Sequence, residues 1–352
     1  MSHKHRYNYP FAAIVGQDKM KKALILNAIN PSVGGVLIKG QKGTAKSTAV
    51  RSLAALLPEV DVVKSCEYHC DPDKPENLCC NCNTRQKNGE ILETEKQHMK
   101  VVELPLGTTE DRLLGTIDIE AALKRGEKSF EPGILAYANR NILYVDEVNL
   151  LDDHLVDVLL DSAAMGTNNI EREGLSFSHP SKFILIGTMN PEEGDLRPQL
   201  LDRFGLCVEV EGIYDIDKRI EVMSRSLEFE QNPADFIEKW SQEEKLISER
   251  IAKAQQLLPS VKYDKEILSD IAALSVEVSV EGHRADIFML KTACTIAALY
   301  ERDYIISDDV KEAAELVLTH RLRRQPFQEP QAQNDKLNKS IEDNVKKKVT
   351  MN

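Results

Sequence analysis

Gly40-Gln41-Lys42-Gly43-Thr44-Ala45-Lys46-Ser47 follows the apolar run Val36-Leu37-Ile38 and leads into Thr48-Ala49-Val50-Arg51-Ser52-Leu53. The order is strand, glycine-rich turn, helix start. A nucleotide phosphate chain needs backbone N–H groups free to wrap it, a lysine for the β and γ oxygens, and a hydroxyl for Mg²⁺. Lys46 and Ser47 supply the last two, and Gly40, Gly43, Thr44, Ala45 and Thr48 complete the cradle. The cofactors expected are therefore ATP and Mg²⁺. Ala45 stands where the motif usually carries its second glycine, and alanine tolerates a positive φ less well. A turn that merely contains glycine and lysine has no need of a strand before it and a helix after it.

Three further elements extend this reading. Tyr144-Val145-Asp146-Glu147 brings two carboxylates to the C-terminal end of an apolar run, where open α/β sheets bind ligands. Asp146 is expected to hold Mg²⁺ through water or with the Ser47 hydroxyl, and Glu147 to polarise the attacking water as general base. Ile186-Gly187-Thr188-Met189-Asn190-Pro191 ends another apolar run, with Asn190 placed to orient that water; an Asn-Pro turn is the plainer alternative. In Leu200-Leu201-Asp202-Arg203-Phe204-Gly205, Arg203 suits the charge of phosphoryl transfer, the alternative being a helix-end arginine paired with Asp202.

The chain of 352 residues is long enough for two or three domains. Its net charge of -12 speaks against nonspecific nucleic-acid binding, which rests on phosphate neutralisation. No apolar run approaches the ~18 residues of a membrane span, and the basic start Met1-Ser2-His3-Lys4-His5-Arg6 lacks the apolar core of a signal peptide, so a cytoplasmic location is expected. Apolar runs at 101–104, 142–145 and 183–186, separated by helical patterns such as His154–Ala164, predict a parallel sheet with helices on both faces. From about Ile213 the pattern is helical, over Asp215–Glu228, Gln242–Gln256, Tyr263–Leu274, Arg284–Glu301 and Ser307–Leu322. The expected domains are an α/β nucleotide domain at 1–212, with a cysteine-rich insertion at 64–98, a helical linker and lid at 213–325, and a disordered polar tail at 326–352.

The longer runs carry a resemblance. Glu103-Leu104-Pro105-Leu106-Gly107, Glu110-Asp111-Arg112, Gly126 to Gly133, Asn149-Leu150-Leu151-Asp152-Asp153-His154 and Asn190 to Leu200 resemble the ATPase (I) subunit of magnesium chelatase, an AAA+ ATPase, over roughly residues 10–325. The resemblance implies that Arg203 is an arginine finger reaching a neighbouring subunit's nucleotide. It implies that Arg284, in Glu281-Gly282-His283-Arg284, is the second-sensor arginine on the lid touching the γ-phosphate of its own subunit's ATP. Phe11 to Gln17 would lie near adenine, and 104–133 and 168–180 would be two hairpin insertions. The family forms hexameric rings that work with a partner carrying an AAA+-like region and a von Willebrand-type (integrin-I-like) domain, and with a large tetrapyrrole-binding subunit. ATP turnover there drives Mg²⁺ insertion into protoporphyrin.

One segment departs from the photosynthetic pattern. Five of the seven cysteines fall in Cys66-x₃-Cys70-x₈-Cys79-Cys80-x-Cys82. Crowding of this kind in a cytosolic chain suggests metal or redox chemistry over structural disulfides. Cys66, Cys70, Cys79 and Cys82 suit a tetrahedral Zn²⁺ site or a four-cysteine iron–sulfur cluster, with redox disulfides or thiols without a role as the alternatives. The functional expectation is an AAA+ motor subunit coupling ATP hydrolysis to metal insertion into a tetrapyrrole. The alternative is a remodelling chaperone acting on a von Willebrand-type partner in metal-cofactor assembly. A DNA motor is disfavoured by the acidic balance and by the lack of a basic hairpin at 168–180.

Overall fold

The computed structural model describes residues 7–118, 129–172, 175–280 and 282–321. Its strands are β1 (Val36–Gly40), β2 (Val60–Val63), β3 (Thr94–Gln97), β4 (Val101–Leu104), β5 (Gly115–Asp118), β6 (Ser129–Pro132), β7 (Ile142–Val145), β8 (Thr167–Arg172), β9 (Leu175–Pro180), β10 (Ile184–Met189) and β11 (Leu206–Val210). Five of them form one parallel sheet in the order β11-β1-β10-β7-β4.

Strands buried on both faces should read as continuous apolar runs, and β1, β7 and β10 are buried along their whole lengths. Alternation divides their side chains between two cores. Val36, Ile38, Ile142, Tyr144, Ile184 and Ile186 face helices Asp18–Ile29 and Lys46–Leu56, while Leu37, Leu143, Val145 and Leu185 face helix Asp153–Met165. Because every strand in the sheet is parallel, the loops after β1, β7 and β10 gather at one end of it.

Beyond β11 lie helices Ile216–Gln231, Pro233–Leu257, Lys265–Glu277, Arg284–Leu299 and Ser307–Leu318. The second is longer than the expected Gln242–Gln256: it begins at Pro233, a residue suited to the first helical position, behind Asn232, whose side chain accepts from the Asp235 N–H at 3.4 Å. The helix from Arg284 stops at Leu299, and Glu301 then takes a left-handed φ of 58°. Helix Arg284–Leu299 packs at the entry to β1 and β11. There a side chain on Gly205 would meet the Val33 carbonyl at 1.5 Å, and one on Gly34 would meet the Phe288 ring at 2.6 Å, so only glycine allows this approach.

The three remaining strand pairs are antiparallel hairpin-like ribbons. β2 and β3 pair from Val60↔Gln97 to Val63↔Thr94 and close the neck of the 64–98 insertion, which also forms helix Cys80–Lys87. β5–β6 and β8–β9 pair within the two expected hairpin segments. The Gly126-Glu127-Lys128 stretch, the Glu173-Gly174 turn, Glu281, the N-terminal six residues and the 326–352 tail lie outside the described residues. Among the described residues no helix is long and apolar enough to cross a membrane.

Candidate active site

Lys42, Gly43, Thr44, Ala45, Lys46, Ser47, Thr48, Tyr144, Asp146, Glu147, Thr188 and Asn190 line one cavity of about 460 Å³ at the C-terminal end of the sheet. The structure thus brings together the loop, both carboxylates and the Asn190 amide. Ala45 sits at φ 60°, ψ 20°, the left-handed conformation that the missing glycine would have adopted freely. The Lys46 Nζ turns onto the loop itself, donating to the Gln41 carbonyl at 2.9 Å and to the Gly40 carbonyl. Burial pulls the Lys46 pKa below the ordinary lysine value, against the upward pull of Asp146 and Glu147. A phosphate chain would give that ammonium the anionic partner it lacks in its own loop.

The carboxylates are held differently. Asp146 Oδ1 accepts from the Tyr144 hydroxyl at 2.8 Å and from the Thr188 hydroxyl at 2.5 Å, so neighbouring strands aim it. Glu147 adopts φ 53°, its N–H donates to Thr188 Oγ1 at 3.1 Å, and its carboxylate lies 3.2 Å from Lys42 Nζ. Lys42 also pairs with Glu193 at 2.6 Å, and these two carboxylates raise its pKa. Asn190 is buried, and its Oδ1 accepts from the Glu192 N–H at 3.3 Å. Thr188 and Lys42 were missed as functional residues. Thr188 is legible in hindsight, because β10 places it beside the end of β7, whereas the Lys42 bridge depends on how two loops meet.

Arg203 lies elsewhere. It pairs with Asp161 and with Asp157 at 3.3 Å, both on helix Asp153–Met165. It lines a separate cavity of about 620 Å³ that also includes Gly34, Phe288 and Lys291. The register explains the separation. Val36 lies opposite Leu206 and Gly40 opposite Val210, so Arg203 precedes one end of the strand pair and the phosphate loop follows the other. Four strand residues at ~3.3 Å each put about 13 Å between the two ends before loop lengths are added.

Arg284 shares the Arg203 end, its guanidinium 3.6 Å from Asp202 Oδ2. Arg284, expected to meet the nucleotide of its own chain, is not among the described residues lining the phosphate-loop cavity. The physical reason is the docking of helix Arg284–Leu299, where Lys291 Nζ donates to the Ser32 carbonyl at 3.0 Å and Asn30 Nδ2 to Thr295 Oγ1 at 3.0 Å, both on the entry side of β1. Arg321 fixes the frame around Arg203. Its buried guanidinium donates to Asp202 Oδ1 at 3.0 Å and to the carbonyls of Asp202 at 2.8 Å, Phe204 at 2.5 Å and Gly205 at 3.2 Å. Burial lowers its pKa to about 10 despite Asp202. No local pattern marks Arg321, which lies far along the chain from the residues it holds.

The comparisons with known proteins give the family. Residues 89–204 match the AAA domain of the dynein-related subfamily, and residues 268–340 match the AAA lid domain. The chain is 59% identical over 336 residues to the magnesium-chelatase subunit ChlI homolog of Methanocaldococcus jannaschii, covering 96% of this chain and 91% of the relative. It is 49% identical over 323 residues to magnesium-chelatase subunit ChlI of Nostoc sp., covering 92% and 86%. Among solved structures it resembles a chain from a cryo-EM-based complex of subunits BchI and BchD of magnesium chelatase, at 44% identity and a TM-score of 0.54, covering 91% of this chain and 98% of that one. With an α/β AAA+ fold, a helical lid and relatives of this identity along nearly its whole length, the chain belongs to the magnesium-chelatase ChlI family of AAA+ ATPases.

Proposed function

We propose that the protein is the ATP-hydrolysing motor subunit of a magnesium-chelatase-like complex, coupling hydrolysis to insertion of a metal into a tetrapyrrole. The observation that carries the reading is the division of the machinery: the loop and both carboxylates occupy one end of the sheet, and Arg203 with Arg284 occupies the other. A homo-oligomeric ring, a hexamer by family resemblance, would set one chain's arginines against the next chain's pocket. In this reading residues 1–212 form the nucleotide unit and 213–325 the linker and lid. A cytoplasmic location belongs to the same proposal, as do a partner subunit with a von Willebrand-type domain and a large tetrapyrrole-binding subunit.

Within one pocket, Ser47 and Asp146 would hold Mg²⁺ with the nucleotide, and Lys46 would meet the phosphate oxygens. Mg²⁺, when bound, neutralises charge on the β and γ oxygens. Release of Glu147 from Lys42 would free its carboxylate to take a proton from the attacking water, with Asn190 orienting that water. Arg203 would arrive from the neighbour to stabilise the equatorial phosphoryl charge.

The test combines the purified chain with its candidate partner subunits, a porphyrin and a divalent metal. The expected result is ATP consumption that rises when porphyrin and metal are both present, with metalloporphyrin formed. ATP consumption that ignores both, with no metalloporphyrin, would overturn the chelatase reading and favour remodelling of a von Willebrand-type partner.

A further inference from the structure

The 64–98 insertion plays no part in the nucleotide site, yet it holds the densest set of metal-ligating side chains among the described residues. The Sγ atoms of Cys66, Cys70, Cys79 and Cys82 all lie within 4.8 Å of one another, and the last three residues are buried. Cys66 Sγ and Cys79 Sγ are 3.8 Å apart. A tetrahedral ion with Zn–S bonds of ~2.3 Å separates its sulfurs by about 3.8 Å. A disulfide would require about 2.05 Å, and all four cysteines are free. A four-iron cluster spreads its cysteine sulfurs over separate iron atoms, wider than this set allows.

The surroundings are those of a built metal knuckle. The Cys79 N–H donates to Cys70 Sγ at 3.1 Å and the Cys82 N–H to Cys79 Sγ at 3.5 Å, bonds that orient thiolate ligands and offset their charge. The helix Cys80–Lys87 starts from Cys79, so Cys82 reaches the same point one turn later. His69 takes a left-handed φ of 44° between Cys66 and Cys70, folding the chain back on itself. The insertion has few apolar residues of its own to order it, which is the situation a structural ion resolves.

The knuckle also touches hairpin β8–β9 and reaches β5–β6 through it. Tyr68, between the first two cysteines, packs against Phe177 at 6.1 Å and His179 at 5.0 Å on β9, and Phe177 stacks on Phe130 of β6 at 4.3 Å. Asn139 Nδ2 donates to the Tyr68 carbonyl at 2.6 Å while its Oδ1 accepts from the Lys182 N–H at 2.8 Å. Asp71 pairs with Arg140. The chain leading into β7 is thereby tied to the cysteine loop.

We propose that Cys66, Cys70, Cys79 and Cys82 bind one Zn²⁺ as four thiolates, and that the ion fixes the insertion as the platform on which hairpins β5–β6 and β8–β9 pack. This rests on the insertion alone and stands or falls separately from the chelatase reading.

The experiment is elemental analysis of the untagged full chain, purified without oxygen. One zinc per chain is expected, with no visible absorption. Iron in its place, or no stoichiometric metal, would overturn the proposal. Ellman's reagent on the native protein should react at once with the exposed Cys80 and reach the four ligand thiols only after a zinc chelator is added. Immediate reaction of the four without chelator would equally overturn it. Cys80→Ser should keep full zinc and Cys79→Ser should lose it; equal zinc in both would sink the ligand assignment even if the metal is present. For the platform role, the chelated protein should be cleaved within the two hairpins about tenfold faster, because local opening sets the rate. Unchanged hairpin cleavage after complete zinc removal would restrict the ion to the knuckle and refute the platform.

Discussion

The two ends of the central sheet are built from opposite chemistry. At the C-terminal end, glycine-rich backbone, hydroxyls and carboxylates surround a cavity in which Lys42 and Lys46 rest on protein acceptors. At the other end, Arg284 and Arg321 converge on Asp202, while Arg203 beside it pairs with Asp157 and Asp161. Among the described residues neither end is a complete site for phosphoryl transfer, because no arginine lines the first and no phosphate loop lies at the second. A strand's length separates them within this chain. The difference teaches why the proposed ring would complete each pocket with a neighbour's arginines.

The strongest way to break that comparison is Arg203→Ala. It should spare ATP binding and lower turnover by about 10³-fold or more, the usual worth of an arginine finger. Full turnover in the assembled variant would remove the arginine end from catalysis. Glu147→Gln should lower turnover by about 10²–10⁴-fold, in the range of a lost general base, with ATP still bound. Mixing the two inactive proteins sharpens the point: hydrolysis should return, since some contacts then join an intact pocket to an intact arginine end. Mixing Arg284→Ala with Glu147→Gln should also restore it. Failure there, with recovery when Arg284→Ala is mixed with Arg203→Ala, would return Arg284 to its own chain's pocket.

Smaller effects test the frames. Arg321→Leu takes a donor from the Asp202 carboxylate and from the carbonyls of Asp202, Phe204, Gly205 and Val317 and should cost about 2 kcal/mol in urea unfolding, in the range of lost hydrogen bonds to a charged group. An unchanged unfolding midpoint would show that the arginine end is held by other contacts. His320, half-buried with Nε2 donating to the Phe204 carbonyl at 3.0 Å, has a pKa lowered well below 6.5 by burial and by Arg321. The unfolded chain therefore takes up a proton that the folded chain refuses. This contribution is whole above pH ~6.5 and is lost as the pH falls below it, by about 1.4 kcal/mol per pH unit at most. His320→Gln should flatten that slope between pH 6.5 and 5.5; a slope identical to the parent's would assign the effect to other groups. Ala45→Gly should relieve about 1 kcal/mol of left-handed strain in the loop. A calorimetric nucleotide affinity and a melting temperature that both stay put would mark Ala45 as a neutral variant.

The nucleotide end was legible because each of its parts is local. Val36 to Ser47 contains its own strand, turn and helix start, and Asp146, Glu147 and Asn190 each end an apolar run. Parallel strands then bring such ends together without further instruction. The helical lid was legible in its periodicity, although the start of helix Pro233–Leu257 was hidden by a polar first half. Lys42, Thr188 and Arg321 were not legible, since their roles depend on partners distant in the chain.

By itself, the sequence determined that a strand, a glycine-rich turn and a helix start follow one another around Gly40–Ser47 of an α/β domain and that five cysteines crowd one insertion, because those features are short-range patterns of residue type. Tertiary structure decided two things that no spacing could express. Strand register set Arg203 about a strand's length away from the loop, with Arg284 held beside Asp202 by helix docking, and the fold of the insertion turned Cys66, Cys70, Cys79 and Cys82 toward one point. Both are distances between side chains remote in sequence, and such distances are fixed only when register and packing are fixed.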